Sequence, residues 1–318
     1  MRAYRLPEAD RPAELTQIPT PSPASGELTV AIRACGLNFA DLLMIEGSYQ
    51  DTPKRPFTLG MEWAGEVMAA DDGSDLAPGT RVAAVTGQGG LAEAITLRAD
   101  RCVALPESMS YVQAAGFQVA YGTSHVALKH RAALRPGETL AVLGAAGGVG
   151  LTAVEIGKAL GARVIACARG ADKLEIARAA GADEVVESDT PDLKAALRAL
   201  GGADVIYDAV GAEAGEAAFR ALKPGGRYLA IGFAAGRPPK LPLNHALVKN
   251  ISIHGVYWGG YAKLDPALLR DSMTELFTWF EAGRLHPHIG ATYPLEQVET
   301  ALEDLRARRA TGKLVIEI

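Results

Sequence analysis

The chain has 318 residues, a length that suits two domains at roughly 150 residues each. Lys and Arg total 32 against 37 Asp and Glu. The net charge of −5 disfavours a nucleic-acid partner, which needs a basic face to displace counterions from phosphates. Apolar residues make up 48 %, enough for a sizeable core and far from a disordered composition. Gly is the outlier at 35 residues, above the roughly 7 % of ordinary chains. Either the chain is low in complexity, or its glycines sit where backbone approaches something closely. Cys35, Cys102 and Cys167 are odd in number and widely spaced. They read as reduced thiols, not as a disulfide framework or a cysteine-rich zinc lobe. The N-terminal segment has no apolar run of the secretory type, and residues 139–154 are too short and too Gly-rich to span a bilayer. The expectation is a soluble, cytoplasmic protein with no membrane partner.

In chain order, the first ~110 residues read as short strands. Residues 28–34 (LTVAIRA), 81–86 (RVAAVT) and 92–97 (AEAITL) are separated by Pro, Gly and Asp clusters such as DDGSDLAPGT. That spacing suggests an all-β, partly barrel-like unit. Residues 112–133 turn Ala-rich with helical spacing. Strands then alternate with helices: ETLAVLG, a helix over 149–160, RVIACA, a helix over 172–180, DEVVE, a helix from Asp192, DVIYDAV, a helix through Leu222, and RYLAIGF. Alternation at this period means βαβ units and a parallel sheet. The tail carries helices near 267–281 and 295–308 and a final strand over 313–318, which most simply returns to the first domain.

The strongest local signal is LAVLGAAGGVGLTAVEIGKALGA, residues 140–162. A strand ends at Leu143 and a helix opens near Val149. Gly144, Ala145, Ala146, Gly147, Gly148, Val149 and Gly150 form the turn between them. A dinucleotide pyrophosphate needs this context, because Gly lets backbone approach and a helix start offers N–H groups and partial positive charge. A tight strand-to-helix turn without a ligand is the alternative. Aligned on the GxGxxG fingerprint, the first Gly is Ala145, with Gly147 and Gly150 second and third. The residue that selects the cofactor lies about 20 residues on, at the end of the second strand. An NAD site has an acid there; this chain has Arg169, followed by Lys173, cations that suit a 2′-phosphate and therefore NADPH. Asp172 keeps NAD open as an alternative.

The Gly-rich turn in mid-chain behind a β-rich domain resembles the medium-chain dehydrogenase/reductase superfamily, and within it the zinc-free quinone oxidoreductase (zeta-crystallin-like) branch. The matching segments are ACGLNFADLLMIEGSY (34–49), LGMEWAGEV (59–67), PGTRVAA (78–84), GAAGGVG (144–150), GADEVV (181–186), DAVG (208–211), KPGGRYLAIG (223–232), KNISIHG (249–255) and GKLVIEI (312–318). The resemblance implies an α/β plus β fold: a GroES-like β-rich catalytic domain over 1–118 and 262–318, interrupted by a doubly wound parallel-sheet (Rossmann) domain over 119–261. In the zinc enzymes of this superfamily a Cys ligand follows a Gly-x pair and a His ligand sits in a GHE triplet. Here those positions fall at Asn38 and Met61, and the third falls near Ala115. Catalytic zinc needs three protein ligands, so no zinc is expected, and Asp41 and Glu62 lose the metal that such carboxylates tune. None of His125, His130, His245, His254, His286 and His288 clusters with Cys.

Without a Lewis acid, hydride addition suits a quinone or a conjugated C=C, where charge develops on an oxygen that hydrogen-bond donors stabilise. By resemblance Asn38 contacts the nicotinamide ribose, with a turn-stabilising Asn as the alternative. Tyr49 matches a Tyr that enoyl-thioester reductases use near the enone oxygen, as a donor to the developing enolate, or else is a loop aromatic. Asn38 and Tyr49 are the catalytic candidates. Tyr121 and Thr123 lie where the family reaches the carboxamide, although the usual Thr there is Val119. Asp208, Val210 and Gly211 fit the DxVG turn near the adenosine, Gly232 and Phe233 lie beside the nicotinamide, and Lys313 resembles a residue near the phosphates. Asp41, Tyr49, Tyr257 and Trp258 are expected to line the substrate pocket. The function implied is zinc-independent, NADPH-dependent reduction of a quinone or α,β-unsaturated carbonyl by a homodimer. The alternatives are an enoyl-thioester (CoA or ACP) reductase, or an NADPH-binding protein with little turnover, crystallin-like or RNA-binding.

Overall fold

The computed structural model describes residues 1–8, 11–71 and 74–318. Contacts divide the chain into two compact units, Met1–Val119 with Pro287–Ile318, and Ala120–His286. Among the described residues no helix is long and apolar enough to cross a membrane.

The first unit is built on Glu27–Gly36, a strand whose alternating apolar residues face a buried cluster that includes Leu28, Ile32, Trp63, Leu42 and Ile316. It pairs antiparallel with Glu62–Ala69, Ala94–Arg98 and the final strand Lys313–Glu317. Arg81–Val85 and Val103–Ala104 extend this sheet one way, and Ile289–Pro294 extends it the other, parallel to the final strand. A smaller sheet joins Glu14–Gln17, Arg2–Leu6 and Phe57–Thr58. The register sets Val315 opposite Gly36, and the Leu37 N–H donates to the Leu314 carbonyl at 2.9 Å. That pairing delivers Lys313 to the segment that carries Asn38.

The second unit is a six-stranded sheet of Thr139–Leu143, Arg163–Ala168, Glu184–Glu187, Ala203–Asp208, Leu222–Ala230 and Ser252–Gly255. Numbered in chain order within the unit, the strands run 3-2-1-4-5-6, and every pair is parallel. This is the dinucleotide-binding order, in which the strand order reverses beside the first strand. A parallel sheet is covered on both faces, so its central strands are continuous apolar runs; Thr139–Leu143 is buried at every position.

Helices Gly148–Ala159, Ala171–Ala179, Leu193–Ala199 and Ala212–Ala221 connect the strands. The carboxylate of Asp192 caps the third by accepting from Ala195 N at 2.8 Å. The Ala-rich stretch with helical spacing is three pieces, Tyr111–Ala115, Gln118–His125 and the π-helical Val126–Arg131.

The point of return to the first unit differs from expectation. Residues 262–286 stay with the second unit instead of rejoining the first at 262. The reason lies in helix Pro266–Glu281, which packs back on 125–131. The Ser272 hydroxyl meets His125 Nδ1 at 2.8 Å, Lys129 Nζ pairs with the Glu275 carboxylate at 2.5 Å, and Trp279 stands edge-on to the His125 ring.

Candidate functional site

In the second unit the glycine turn is a backbone cradle. Gly144 has φ +71, and the Ala145 N–H donates to the Cys167 carbonyl on the neighbouring strand at 3.0 Å. A Cβ on Gly150 would lie 2.0 Å from the Gly144 oxygen, so only Gly lets the first helical turn fold back on the strand end. Helix Gly148–Ala159 starts at Gly147 with no side-chain cap and no acid in its first turn. Its first N–H groups and partial positive charge suit an anion. Val210 packs against Gly144, and Gly211 (φ +75) against Phe233, so the carboxyl ends of three central strands meet here.

Asp208 is fully buried. Its Oδ1 accepts from Val210 N and Gly211 N, both at 2.8 Å, and its Oδ2 accepts from the Tyr228 hydroxyl. Burial pushes its carboxyl up against the opposing pull of these donors. Asp208 therefore shapes the turn through Val210 and Gly211. Gly232 is half-buried, and Phe233 is 42 % exposed.

At the end of the second strand Arg169 is exposed, and Lys173 is half-buried in the first turn of the next helix. Burial and then the charge of Arg169 push the Lys173 ammonium down. Two cations held this close favour a multiply charged anion.

Tyr121 was expected to face a ligand. Its phenol is buried and donates to Glu155 on helix Gly148–Ala159. Thr123 is buried beside it, and the Ser124 hydroxyl meets Thr152, the Val149 carbonyl and the Tyr207 hydroxyl within 3.0 Å. Sequence reasoning misses this clamp on Gly148–Ala159; its signal is Thr152 and Glu155 set in the apolar run 149–156. Trp258 packs on Gly122, where a Cβ would lie 2.6 Å from the indole Nε1. That N–H is buried without a partner among the described residues. Tyr257 is 39 % exposed.

In the first unit Asn38 precedes helix Phe39–Ile45, and its N–H donates to Asp41 Oδ2 at 2.8 Å. Asp41, expected on a pocket wall, is wholly buried because it closes this helix start; burial pushes its carboxyl up to about 6. Lys313, expected near phosphates, is 7 % exposed. Its Nζ donates to the Leu37 carbonyl at 2.7 Å and to Asn38 Oδ1 and Glu62 Oε1 at 2.8 Å. Glu62, unassigned from sequence beyond its lost metal, also accepts from Asn38 Nδ2 at 3.0 Å and from Val119 N at 2.9 Å. Tyr49 lies half-buried in the loop after the helix, against the apolar core of the same unit.

The residues at the expected metal positions do not fit catalytic zinc. An amide, a thioether and an alanine are poor donors for it, and the amide oxygen of Asn38 already accepts from an ammonium.

The family profile described as "Alcohol dehydrogenase GroES-like domain" matches residues 24–107, and that described as "Zinc-binding dehydrogenase" matches 148–277. The quinone oxidoreductase-like protein 2 homolog of Nematostella vectensis is 38 % identical over 299 residues, covering 92 % of this chain and 82 % of that one. Quinone oxidoreductase-like protein 2 of Bos taurus is 36 % identical, covering 100 % of this chain and 92 % of its own. Among solved structures, the quinone oxidoreductase from Thermus thermophilus, also determined in complex with NADPH, superposes with a TM-score of 0.89 at 34 % identity over 100 % of both chains.

Glu155 yields a test of the clamp. Burial pushes its carboxyl up from 4.5 to about 7 against the donors Tyr121 and His286 N. The folded state thus keeps a proton that the unfolded chain loses, and stability falls as pH rises between about 4.5 and about 7. Glu155→Gln removes that loss. Between pH 4 and pH 8 the stability difference should move by about 3 kcal/mol in favour of the variant, read by urea denaturation at each pH. A pH-independent difference would contradict the assignment.

Proposed function

Because the chain belongs to the zinc-free quinone oxidoreductase branch of the medium-chain dehydrogenase/reductase superfamily, we propose that it is an NADPH-dependent reductase acting on a quinone or α,β-unsaturated carbonyl. The observation that carries this reading is the uncapped, glycine-closed helix start at 144–150 followed, one strand on, by the Arg169 and Lys173 pair. In the turn of Gly144, Ala145, Ala146, Gly147, Gly148, Val149 and Gly150, the N–H groups of Ala145 and Gly147 hold the turn itself and those of the helix start hold the pyrophosphate, while Arg169 and Lys173 hold the 2′-phosphate. Val210, Gly211, Gly232 and Phe233 line the adjoining strand ends, and Tyr121, Thr123 and Asp208 keep that surface in shape. NADPH, when bound, supplies the hydride.

In the first unit the acceptor oxygen that gains charge needs a hydrogen-bond donor, not a Lewis acid. Asn38 is not that donor. Its two N–H bonds go to Glu62 Oε1 at 3.0 Å and the Gly36 carbonyl at 3.3 Å, so it offers only its oxygen. The phenol of Tyr49 is this unit's donor candidate; in the second unit Tyr257 and Trp258 are the aromatic candidates for contact with a planar substrate.

We also infer a homodimer in the cytoplasm. Ser252–Gly255 ends the second unit's sheet, an edge of unpaired backbone groups that natural proteins cover or pair. Beside it Leu243, Leu247 and Val248 are 70 %, 78 % and 74 % exposed, and Ile253 is 44 % exposed. A second copy would cover them by continuing the sheet. Cys35, Cys102 and Cys167 are free thiols, which suits a reducing compartment.

NADPH oxidation followed at 340 nm should accelerate on adding 1,4-benzoquinone or 9,10-phenanthrenequinone. The kcat/KM for NADPH should exceed that for NADH, and Arg169→Ala should lower that ratio roughly tenfold. Tight NADPH binding without turnover across quinones and enones would replace this reading with a binding role, and a ratio at or below one would remove NADPH. Light scattering should give the dimer mass, and Leu247→Glu combined with Val248→Glu should give the monomer mass; a monomeric natural protein would contradict the interface.

A further inference from the structure

In the second unit the chain leaves strand Arg163–Ala168 and passes through Gly170 at φ 83 and ψ 150, a region essentially restricted to glycine, before helix Ala171–Ala179 begins. A Cβ on Gly170 would meet nothing within 4 Å, so the position demands glycine for its conformation and not for space. A glycine in open space is held only by its hydrogen bonds, and here a carboxylate supplies one: the Gly170 N–H donates to Glu187 Oε2 at 2.8 Å. Glu187 ends the neighbouring strand Glu184–Glu187 in register with Ala168, and its other oxygen accepts from Asp189 N at 3.3 Å. The Ser188 N–H donates to the Ala168 carbonyl at 2.8 Å. Side chain and backbone together thus tie the end of one strand to the loop of the next. An amide oxygen would accept from Gly170 as well as a carboxylate does, so the charge of Glu187 is an addition to the tether. The segments 169–173 and 187–189 carry Arg169 and Lys173 against three acids, Asp172, Glu187 and Asp189. Of these acids only Glu187 is half-buried; the other two are exposed.

We propose that Glu187 is a positioning residue that tunes selectivity for a 2′-phosphorylated nucleotide: through Gly170 it holds the segment that presents Arg169 and Lys173, and its charge restrains the affinity those cations supply. The inference rests on the NADPH reading above. The two effects oppose each other. Holding the loop in advance removes the cost of ordering it when the ligand arrives. The negative charge repels a phosphate, which carries about −1.5 to −2 at pH 7, and leaves an unphosphorylated ribose untouched. The chain therefore prefers NADPH by a smaller margin than its two cations would allow.

The test measures dissociation constants by fluorescence titration for NADPH and NADH, which differ only in the 2′-phosphate. Glu187→Gln keeps an acceptor for the Gly170 N–H and removes the charge. It should bind NADPH roughly fivefold more tightly than the natural protein and NADH within about twofold of it. That gain should shrink as salt rises from about 50 mM to about 500 mM, because a charge effect at a half-buried site is screened. Glu187→Ala removes the charge and the tether together. It should gain less for NADPH than Glu187→Gln, and in the ligand-free protein its Gly170 amide should exchange hydrogen faster by NMR than in the natural protein or in Glu187→Gln. Unchanged or weaker NADPH binding by Glu187→Gln, an equal gain for both nucleotides, a gain insensitive to salt, or Glu187→Ala matching Glu187→Gln in affinity and exchange would overturn the proposal. If neither the natural protein nor Glu187→Gln binds NADPH more tightly than NADH, the NADPH reading itself fails.

Discussion

A charge sealed away from water persists only where every bond it can form is formed, and Lys313 sets that condition for the first unit. Its ammonium and the Glu62 carboxylate lie 251 positions apart in the chain and meet at 2.8 Å with almost no exposure. Such a pair contributes little net stability when complete, yet losing one partner generally costs about 3–5 kcal/mol. The surrounding backbone is consequently committed. The final strand must register with Glu27–Gly36, the Leu37 carbonyl must turn toward the ammonium, and Val119 must present its N–H to Glu62. Asn38 inherits its orientation from these constraints. A metal ion imposes similar order through coordination; here hydrogen bonds to one ammonium impose it.

The second unit applies the same rule with different groups. Its ligand-facing surface is backbone, and backbone must be held by something behind it. Asp208 spends both oxygens on the turn at 210–211 and on Tyr228, and the Ser124, Thr152 and Tyr207 hydroxyls lock the start of helix Gly148–Ala159. The polar side chains sit beneath the surface, and the anion-binding groups above it are N–H donors. Arg169 and Lys173, proposed to meet a phosphorylated ribose, lie at a strand end where they can vary without disturbing that support.

What the sequence revealed and what it hid divide along contact range. The strand, glycine turn and helix at 139–159 are set by neighbours in sequence, and periodicity with glycine spacing is enough to read them. The parallel sheet follows from strand–helix alternation. Helix Pro266–Glu281 was equally legible as a helix, but its attachment was not. Its partners His125 and Lys129 lie some 146 positions earlier, and no local pattern records that. The surroundings of Tyr121, Asp41 and Lys313 are equally invisible in the local pattern. Tyr121 and Lys313 each suit a ligand, yet their polar atoms bond distant groups inside the protein, Glu155 for Tyr121 and Glu62 for Lys313, while Asp41 accepts from the Asn38 N–H three positions earlier. Sequence identifies a polar residue near a motif; only the folded chain tells whether its polar atoms are already used.

The central claim is that the chain transfers hydride from NADPH to a small conjugated acceptor, and a single-turnover experiment addresses it without steady-state ambiguity. Protein saturated with NADPH, deuterated or not at the transferred position, is mixed with excess 9,10-phenanthrenequinone, and bound-cofactor absorbance is followed by stopped flow. The account predicts full decay of the absorbance, with formation of one hydroquinone per cofactor and slower decay for the deuterated cofactor. Decay at the rate seen without quinone would contradict it.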